Sequence, residues 1–433
     1  MFYGWWIVVA AIGIQSLLSG LLFHAFGTYV VLLERDFGWS KTVLAGAFSL
    51  ARIEDGLLGP AQGWVIDRFG PRAVMRVGIV IFAIGFILFS RIDSIFEFYA
   101  TFMIMAVGAA LGGFLSITTA IVNWFDRRRT FAMGLALLGS AGGGLALPFL
   151  VRALETYGWR PVTMASGVIV LVVGLPLTQI VRHRPEQYGY LPDGREPDVD
   201  AADGADDVGD DDGSLTARQA MRTRAFWLIS LAHAAAVLVV TAVTVHFTAY
   251  ATETLGYSLT QAAAVVTLLT VMNLVGRVAG GYLGDRVSSR LVITSCMLGH
   301  AAALLFLTFA QGLWMVLTFA VINGLSWGAR VPVIIAMRAE YFGPRSYGTI
   351  MGFSSLVVAG GAIAGPVLAG LSFDVTGSYS IGFTGLAVLA GLGSLFLVFL
   401  PDPPPLVTSP ASAPPDTRVE RESEQASGPR ARS

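Results

Sequence analysis

The sequence predicts an all-α membrane protein in which twelve transmembrane helices form two pseudo-symmetric six-helix bundles. Hydrophobic residues make up 55% of the 433 residues and charged residues only 13%, whereas charged residues are about 25% of soluble domains. The apolar residues form long uninterrupted runs, and the segments that flank some of these runs occur twice. The composition excludes a soluble globular protein, and the single cysteine, Cys296, excludes a disulfide framework.

The apolar runs are long enough to cross a bilayer as helices. A bilayer core of about 30 Å requires about 20 apolar residues per helix, and the runs lack the two-residue alternation of barrel strands. Six spans are predicted before a polar gap and six after it. They cover residues 5–30, 42–65, 73–91, 95–122, 130–152 and 161–181, and then 225–249, 259–283, 290–310, 313–337, 347–371 and 379–400.

The arginines between the spans predict how the protein is oriented. Positively charged residues accumulate on the cytoplasmic side of membrane proteins. We therefore expect the arginine-rich side to be cytoplasmic, with both termini on it and the protein in the plasma (cell inner) membrane. That side carries Arg68, Arg72, Arg76, Arg127, Arg128, Arg129, Arg286, Arg290, Arg338 and Arg345.

Two polar stretches divide the chain. Residues 182–224 contain the acidic run DVDAADGADDVGDDDG and join an N-terminal bundle, residues 1–181, to a C-terminal bundle, residues 225–400. Residues 401–433 are rich in Pro and Ser, which predicts a disordered cytoplasmic tail. A calcium loop is the alternative for the acidic run, but it requires a Glu at its twelfth position, which is missing. We therefore interpret residues 182–224 as an acidic cytoplasmic linker.

Two sequence landmarks occur once in each half. The segments after spans 2 and 8 both contain Gly, three residues and then Asp-Arg, and these copies are 218 residues apart. The aromatic-Phe pairs before spans 5 and 11 are 217 residues apart. The shared offset predicts duplicated six-helix halves, with a solute site where they meet. The landmarks are Gly63, Asp67 and Arg68 with Gly281, Asp285 and Arg286, and Trp124 and Phe125 with Tyr341 and Phe342.

The loop GWVIDRFGPR, residues 63–72, resembles the signature loop between helices 2 and 3 of the major facilitator superfamily. More narrowly, Gly4-Trp5 and the segment WFDRRRTFAMGLALLGSAGGG, residues 124–144, resemble the monocarboxylate transporters and oxalate/formate antiporters. The resemblance implies the facilitator fold and an Arg in helix 8, here Arg277, that binds the substrate carboxylate. It also implies a proton-coupling Asp four residues earlier. This chain has Asn273 there, which cannot titrate.

Ionisable residues inside the predicted spans indicate a functional site, because they are costly in a bilayer and normally face protein or water. They are Arg52, Glu54 and Asp55 in span 2, Arg277 in span 8 and Arg330 in span 10. Three cations against two acids leave a cationic surplus, and a guanidinium binds a carboxylate in a bidentate geometry. The surplus favours a small organic anion. The residues expected to bind it are Arg277, Arg330, Arg52 and Asn273. A structural Arg52–Asp55 pair, and an Arg330 that only faces a water channel, are the alternatives.

Two further sets of residues are candidates for coupling and gating. The candidates for proton coupling are Glu54, Asp55, His24, His233 and His246. Burial raises a carboxyl pKa, a neighbouring Arg lowers it, and histidine titrates near physiological pH; hydrogen-bonded packing is the alternative for each histidine. The gating candidates are Asp67, Arg68, Asp285 and Arg286. A carboxylate such as Asp67 can accept from an arginine or a helix N-terminus across the halves in one of two states.

The sequence therefore predicts a secondary active transporter that moves a small organic anion, such as a monocarboxylate, by alternating access. Its expected partners are that anion and membrane lipids, and the sequence leaves open whether protons are also transported. The protein is expected to be a monomer that uses no cofactor, metal or nucleic acid. Export of drugs or cations by the same fold, and a non-transporting solute sensor, are the alternatives. An enzyme is not expected, because the sequence contains no nucleophile motif or phosphate-cradling loop.

Overall fold

Twelve long helices make up most of the protein in the computed structural model, which describes residues 2–194 and 214–403. The acidic run and the predicted tail beyond residue 403 lie outside these residues. The helices are α1 Gly4–Phe37, α2 Lys41–Phe69, α3 Pro71–Phe89, α4 Ile95–Trp124, α5 Arg129–Tyr157, α6 Trp159–Ile180, α7 Arg224–Thr254, α8 Leu259–Gly284, α9 Ser289–Thr308, α10 Leu313–Phe342, α11 Tyr347–Thr376 and α12 Tyr379–Val398.

Within the described residues, eleven helices are both long and apolar enough to cross a membrane. The remaining long helix, α2, has 29 residues, which exceeds the length that a bilayer requires, but Arg52, Glu54 and Asp55 lower its hydropathy. The prediction of twelve helices in two six-helix bundles is confirmed. We refer to α1–α6 as the N-terminal half and to α7–α12 as the C-terminal half.

The helix ends follow local sequence signals rather than the limits of the apolar runs. Side chains of Ser40, Thr223 and Ser258 accept from backbone N–H groups in the first turns of α2, α7 and α8, as good N-caps do. Gly38 and Gly377 follow α1 and α11 with positive φ values of 69° and 68°, a conformation that favours glycine. Several helices therefore extend beyond their predicted spans, and α10 reaches Phe342 rather than residue 337.

The described parts of the linker and the described residues nearest the two chain ends lie at one end of the bundle. We call this the linker end and the opposite end the distal end. Tyr3 donates its hydroxyl to the carbonyl of Ile180 at 2.9 Å. The backbone N–H of Leu215 donates to the carbonyl of Phe342, also at 2.9 Å. The start of α1, the end of α6, the linker and the end of α10 therefore meet at the linker end.

The hydrophobic core is continuous between the halves only toward the linker end. One buried cluster includes the N-terminal half together with linker-end residues of the C-terminal half, among them Phe226 and Met351. A second cluster, which includes Phe247 and Phe383, lies within the distal part of the C-terminal half. The halves thus share a core at the linker end.

Glycines allow the helices of the two halves to approach closely at the linker end. Gly59 and Gly63 on α2 meet Gly352 and Gly348 on α11, and Gly134 on α5 meets the backbone of α8 at Arg277. Small residues permit such backbone approach inside membranes.

Farther toward the distal end, the glycines of the same helices pack within their own halves. Gly361 and Gly365 on α11 meet α7 at Ala234 and Leu238, and Gly143 on α5 meets α1 at Gly20. In the described part of the chain, the contacts of glycines with the backbone of the other half therefore lie toward the linker end, whereas Gly56 on α2 meets only the side chain of Ala359 on α11.

Two glycines of α11 test this packing. In Gly352→Ala the new methyl group would overlap the carbonyl of Gly59, whereas in Gly360→Ala it would meet no atom within 4 Å. Overpacking typically costs about 1–3 kcal/mol. We expect Gly352→Ala to lower the thermal unfolding midpoint of the detergent-purified protein and Gly360→Ala to leave it unchanged or raised. Equal midpoints for the two variants would contradict a tight α2–α11 contact.

Candidate functional site: the interface between the halves

Asp67, near the end of α2, caps the start of α11 in the other half. Its carboxylate accepts from the backbone N–H groups of Gly348 and Thr349 at 2.8 and 2.7 Å, and from the Thr349 hydroxyl at 2.6 Å. The first N–H groups of a helix lack intrahelical partners and carry partial positive charge. The carboxylate therefore links the two halves at the linker end.

Asp285 makes the equivalent contact from the C-terminal half. It follows the last residue of α8, and its carboxylate accepts from the N–H groups of Thr130 and Phe131 at 2.8 and 3.1 Å, at the start of α5. Burial raises the pKa of Asp285 above its usual range, although the bonds from Thr130 and Phe131 act in the opposite direction. Asp285 therefore links the halves at the linker end in the same way as Asp67.

The arginines that follow these two acids stay on their own helices. Arg68 is exposed, with its guanidinium 5.7 Å from the centre of the Trp64 ring. Arg286 is also exposed and lies 3.6 Å from the centre of the Tyr282 ring. In the described part of the chain, the aspartates of the repeated motif link the halves and the arginines pack on aromatic rings.

Arg277 reaches from α8 to α5 and so also crosses between the halves. Its Nη1 donates to the carbonyl of Leu137 and to the hydroxyl of Ser140, the latter at 2.7 Å. Leu138 interrupts the helical hydrogen bonding of α5 at this point, between segments Arg129–Leu137 and Gly139–Tyr157. Nε of Arg277 is buried without a hydrogen-bond partner in the described structure. The guanidinium is thus held by neutral acceptors and has a free donor.

His24 is joined to Arg277 through Ser140. A ring nitrogen of His24, on α1, lies 2.9 Å from the carbonyl oxygen of Ser140, whose hydroxyl accepts from Arg277. The hydroxyl of Ser19 also donates to the carbonyl of Ser140, at 3.1 Å. His24 is exposed, and it lies at the end of a π-helical segment, Ser19–His24; such segments are frequent at functional sites. The imidazole ring of His24 and the guanidinium of Arg277 therefore both contact Ser140.

His246 occupies a similar place in the C-terminal half. One of its ring nitrogens lies 2.9 Å from the carbonyl of Pro366 on α11, and the other lies 3.3 Å from the hydroxyl of Tyr379. The α7–α11 contact corresponds to the α1–α5 contact of His24 in the duplicated halves. Each half thus carries a histidine bonded to a backbone carbonyl of its fifth helix.

Arg330 lies inside the C-terminal half, on the helix that packs against α9. Arg330 is 1% exposed, and its guanidinium lies within electrostatic range of Cys296, His300 and His233. The side chain of Arg330 is therefore not accessible to solvent in this conformation.

Arg338, which the sequence places on the arginine-rich side, is buried within the C-terminal half. It is 1% exposed and donates to His233 at 3.0 Å and to Ser354 at 2.8 Å. It lies four residues before the end of α10 at Phe342. The sequence did not predict that this arginine is buried.

The remaining candidates lie on α2 and α8. Asn273, one turn before Arg277, is 6% exposed and its Nδ2 has no hydrogen-bond partner in the described structure. Glu54 is partly buried on α2. The side chains of Arg52 and Asp55 lie outside the described residues, so their predicted pairing stays a prediction. Ser140 and the Leu137 carbonyl were not predicted, because an uncharged serine and a backbone oxygen carry no sequence signal at membrane depth.

Two six-helix bundles, joined at one end by reciprocal carboxylates and carrying a cation between them, define a membrane transporter. The chain belongs to the Major Facilitator Superfamily, whose sequence profile matches residues 12–293 and 229–430.

Relatives of the chain include proteins named as transporters and one named as a sensor. Monocarboxylate transporter 13 of Bos taurus is 27% identical over 91% of this chain and 88% of its own length. The membrane sensor protein UhpC of Salmonella typhimurium is 25% identical over 85% of this chain and 83% of its own length. The structure of the proton:xylose symporter XylE superposes with a TM-score of 0.71 at 19% identity, covering 92% of this chain and 96% of that one.

These similarities establish a multi-pass integral membrane protein of a transporter family that acts on a small molecule. The matched proteins are not enzymes, as the sequence predicted.

Removal of the Asp67 carboxylate tests the contact between the halves. We expect Asp67→Ala to weaken closure of the linker end by about 1–2 kcal/mol, which is the range for a charge at a helix terminus in favourable geometry. Spin labels at the exposed positions Val77 on α3 and Leu291 on α9 should then report a several-fold larger population at long distance.

Asp36→Ala is the matched control, since Asp36 accepts from Trp159 at 2.6 Å within the N-terminal half. It removes an acceptor carboxylate without touching the interface. A distance distribution that is the same for Asp67→Ala, Asp36→Ala and the unmodified protein would show that Asp67 does not hold the linker end closed.

Proposed function

We propose that the protein is a secondary active transporter that moves a small organic anion of the monocarboxylate class across the plasma membrane by alternating access. The observation that carries this proposal is Arg277, a cation of one half bonded to neutral acceptors of the other half. The arginine-rich linker end is cytoplasmic in this proposal, so both termini are cytoplasmic and the described conformation faces outward.

The packing between the halves supports alternating access. The aspartate caps and the close glycine contacts between halves lie at the linker end. These contacts are with backbone N–H groups, which water can also satisfy when the halves separate. Rocking of one rigid half against the other would break them and close the distal end in exchange, with the solute held near the middle.

The bonding of Arg277 supports an anion as substrate. A carboxylate accepts hydrogen bonds from a guanidinium more strongly than a carbonyl or hydroxyl does, because both partners are charged. A substrate carboxylate can therefore take the donors that Leu137 and Ser140 now occupy, together with the free Nε. Such an exchange removes a bond between the halves when substrate binds, which couples occupancy to their separation. A cationic drug would meet repulsion at the same place.

Proton coupling, where it occurs, is assigned to the histidines rather than to Asn273. Asn273 cannot titrate, whereas His24 shares Ser140 with Arg277. His24 accordingly is the titratable group that can respond to occupancy of Arg277, with His246 as its counterpart in the other half.

Counterflow in proteoliposomes tests the substrate class. With a panel of mono- and dicarboxylates inside the vesicles, we expect one compound to stimulate uptake of its labelled form. Arg277→Gln should lower that uptake tenfold or more, because a hydrogen bond between charged partners is worth about 1.5–3 kcal/mol.

Arg290→Gln is the control for Arg277→Gln. Arg290 pairs with Asp402 at 3.0 Å at the linker end, so its loss should leave counterflow intact. Anion uptake that survives Arg277→Gln would contradict the proposed site, and export of a cationic drug that survives it would favour the drug transporter. Absence of counterflow with every compound would favour a sensor.

Asn273→Asp tests the assignment of proton coupling. The new carboxyl would lie one turn from Arg277, where a titratable group responds to the neighbouring cation. We expect uptake by Asn273→Asp to depend more steeply on pH between 5 and 8 than uptake by the unmodified protein, measured by counterflow at both ends of this range. Asn273→Gln, which stays neutral, should keep the original profile. Identical profiles for Asn273→Asp and Asn273→Gln would contradict the expectation.

A further inference from the structure

A second set of cationic and polar side chains lies inside the C-terminal half, away from the contacts of Arg277. Arg330 and Asn323 on α10 are each 1% exposed, and His300 on α9 is 0% exposed. Arg330 follows Asn323 by seven residues, which places the two on one face of the helix, two turns apart. His300 contacts the Oδ1 atom of Asn323 at 2.7 Å, so this face of α10 lies against α9.

Several hydrogen-bond donors of this set are unused. Nε and Nη1 of Arg330 and Nδ2 of Asn323 are buried without a hydrogen-bond partner in the described structure. Buried donors are normally satisfied by protein, water or a ligand. Three orphaned donors on one helix face indicate that an acceptor belongs between α9 and α10.

The positive charge buried in this region also indicates that an acceptor is needed there. A second guanidinium, that of Arg338, is also 1% exposed, and its bonds go to the neutral groups of His233, Ser354 and Ile334. Among the ion pairs formed by the described residues, none involves Arg330 or Arg338. Arginine does not lose its proton in proteins, and a buried charge is costly unless an opposite charge lies nearby. The acceptor that satisfies Arg330 should therefore be negatively charged.

We propose that Arg330 and Asn323 hold a small monovalent anion inside the C-terminal half, at a site separate from Arg277. The ligand is a free inorganic anion of the size of chloride, or else the carboxylate of the transported solute. Since Arg277 faces α5 in the other half and Arg330 lies near Cys296 and His300 of α9, the two guanidiniums do not share one ligand. The anion would neutralise the interior of the C-terminal half and stabilise it.

Anion-dependent stability of the purified full-length protein tests this site. The thermal unfolding midpoint is measured in sodium HEPES, whose anion is a bulky sulfonate and neither a halide nor a carboxylate, with added chloride, bromide or the substrate carboxylate. We expect chloride and bromide to raise the midpoint in a saturable way, as a ligand that binds the folded state does. Arg330→Gln and Asn323→Leu should each weaken the apparent anion affinity at least tenfold. Because Asn323→Leu keeps the guanidinium of Arg330, this variant still tests the site if Arg330→Gln does not fold.

Arg277→Gln separates this site from the proposed transport site. The anion effect should persist in Arg277→Gln even though counterflow is lost, and it should persist if counterflow fails in every protein. A bromide anomalous peak beside Arg330 in crystals would place the ion directly. The inference is overturned by a midpoint that no anion changes, by unaltered anion affinity in both Arg330→Gln and Asn323→Leu, or by loss of the effect in Arg277→Gln. Stabilisation by the substrate carboxylate alone, lost in Arg330→Gln but not in Arg277→Gln, would identify the solute as the ligand.

Discussion

The conformation of this protein depends on two carboxylates that cap helices of the opposite half. Asp67 caps α11 and Asp285 caps α5, and each accepts from backbone N–H groups that no helix can satisfy internally. The contact is strong enough to align the halves, and it is also replaceable, because the same N–H groups can bond to water. A buried arginine–aspartate pair in their place would be much harder to separate. Because the sequence is duplicated, each half supplies one of the two caps. The caps therefore join the halves at two equivalent places at the linker end, and neither cap lies at the distal end.

The charge of Arg277, which lies between the halves, is balanced differently from the charges of Asp67 and Asp285 at the linker end. Arg277 bonds to a carbonyl and a hydroxyl of α5, and the position one turn earlier is Asn273. An aspartate there would lie beside the guanidinium and offset its charge. Asn273 leaves the guanidinium uncompensated by its own helix, and an amide cannot exchange a proton as a carboxyl does. In the proposed function, Asn273 would therefore favour anion binding and leave proton coupling to another group, such as His24, which is joined to Arg277 through Ser140.

The sequence predicted the features that depend on local patterns. The apolar runs predicted the twelve helices, and the repeated motif led to the expectation that Asp67 can accept from an arginine or a helix N-terminus of the other half. Features that depend on helix rotation were not predictable. Arg330 was expected to bind the anion together with Arg277, but only the packing of α10 against α9 decides which way it faces. The burial of Arg338 was not predicted either, because hydropathy does not reveal how far α10 continues. Ser140 gave no signal at all, since its importance comes from the α8 side chain that reaches it.

The tight packing of α8 against α10 explains why Arg277 and Arg330 have separate surroundings. Gly276 and Gly280 on α8 meet the backbone of α10 at Leu325 and Ala329, and Gly328 meets the carbonyl of Asn273 in return. No side chain fits between helices at such approach. The two arginines must therefore leave this contact in different directions, Arg277 toward α5 and Arg330 toward α9. In the proposed function, a substrate carboxylate at Arg277 would therefore leave the charge of Arg330 to the separate anion that we propose inside the C-terminal half.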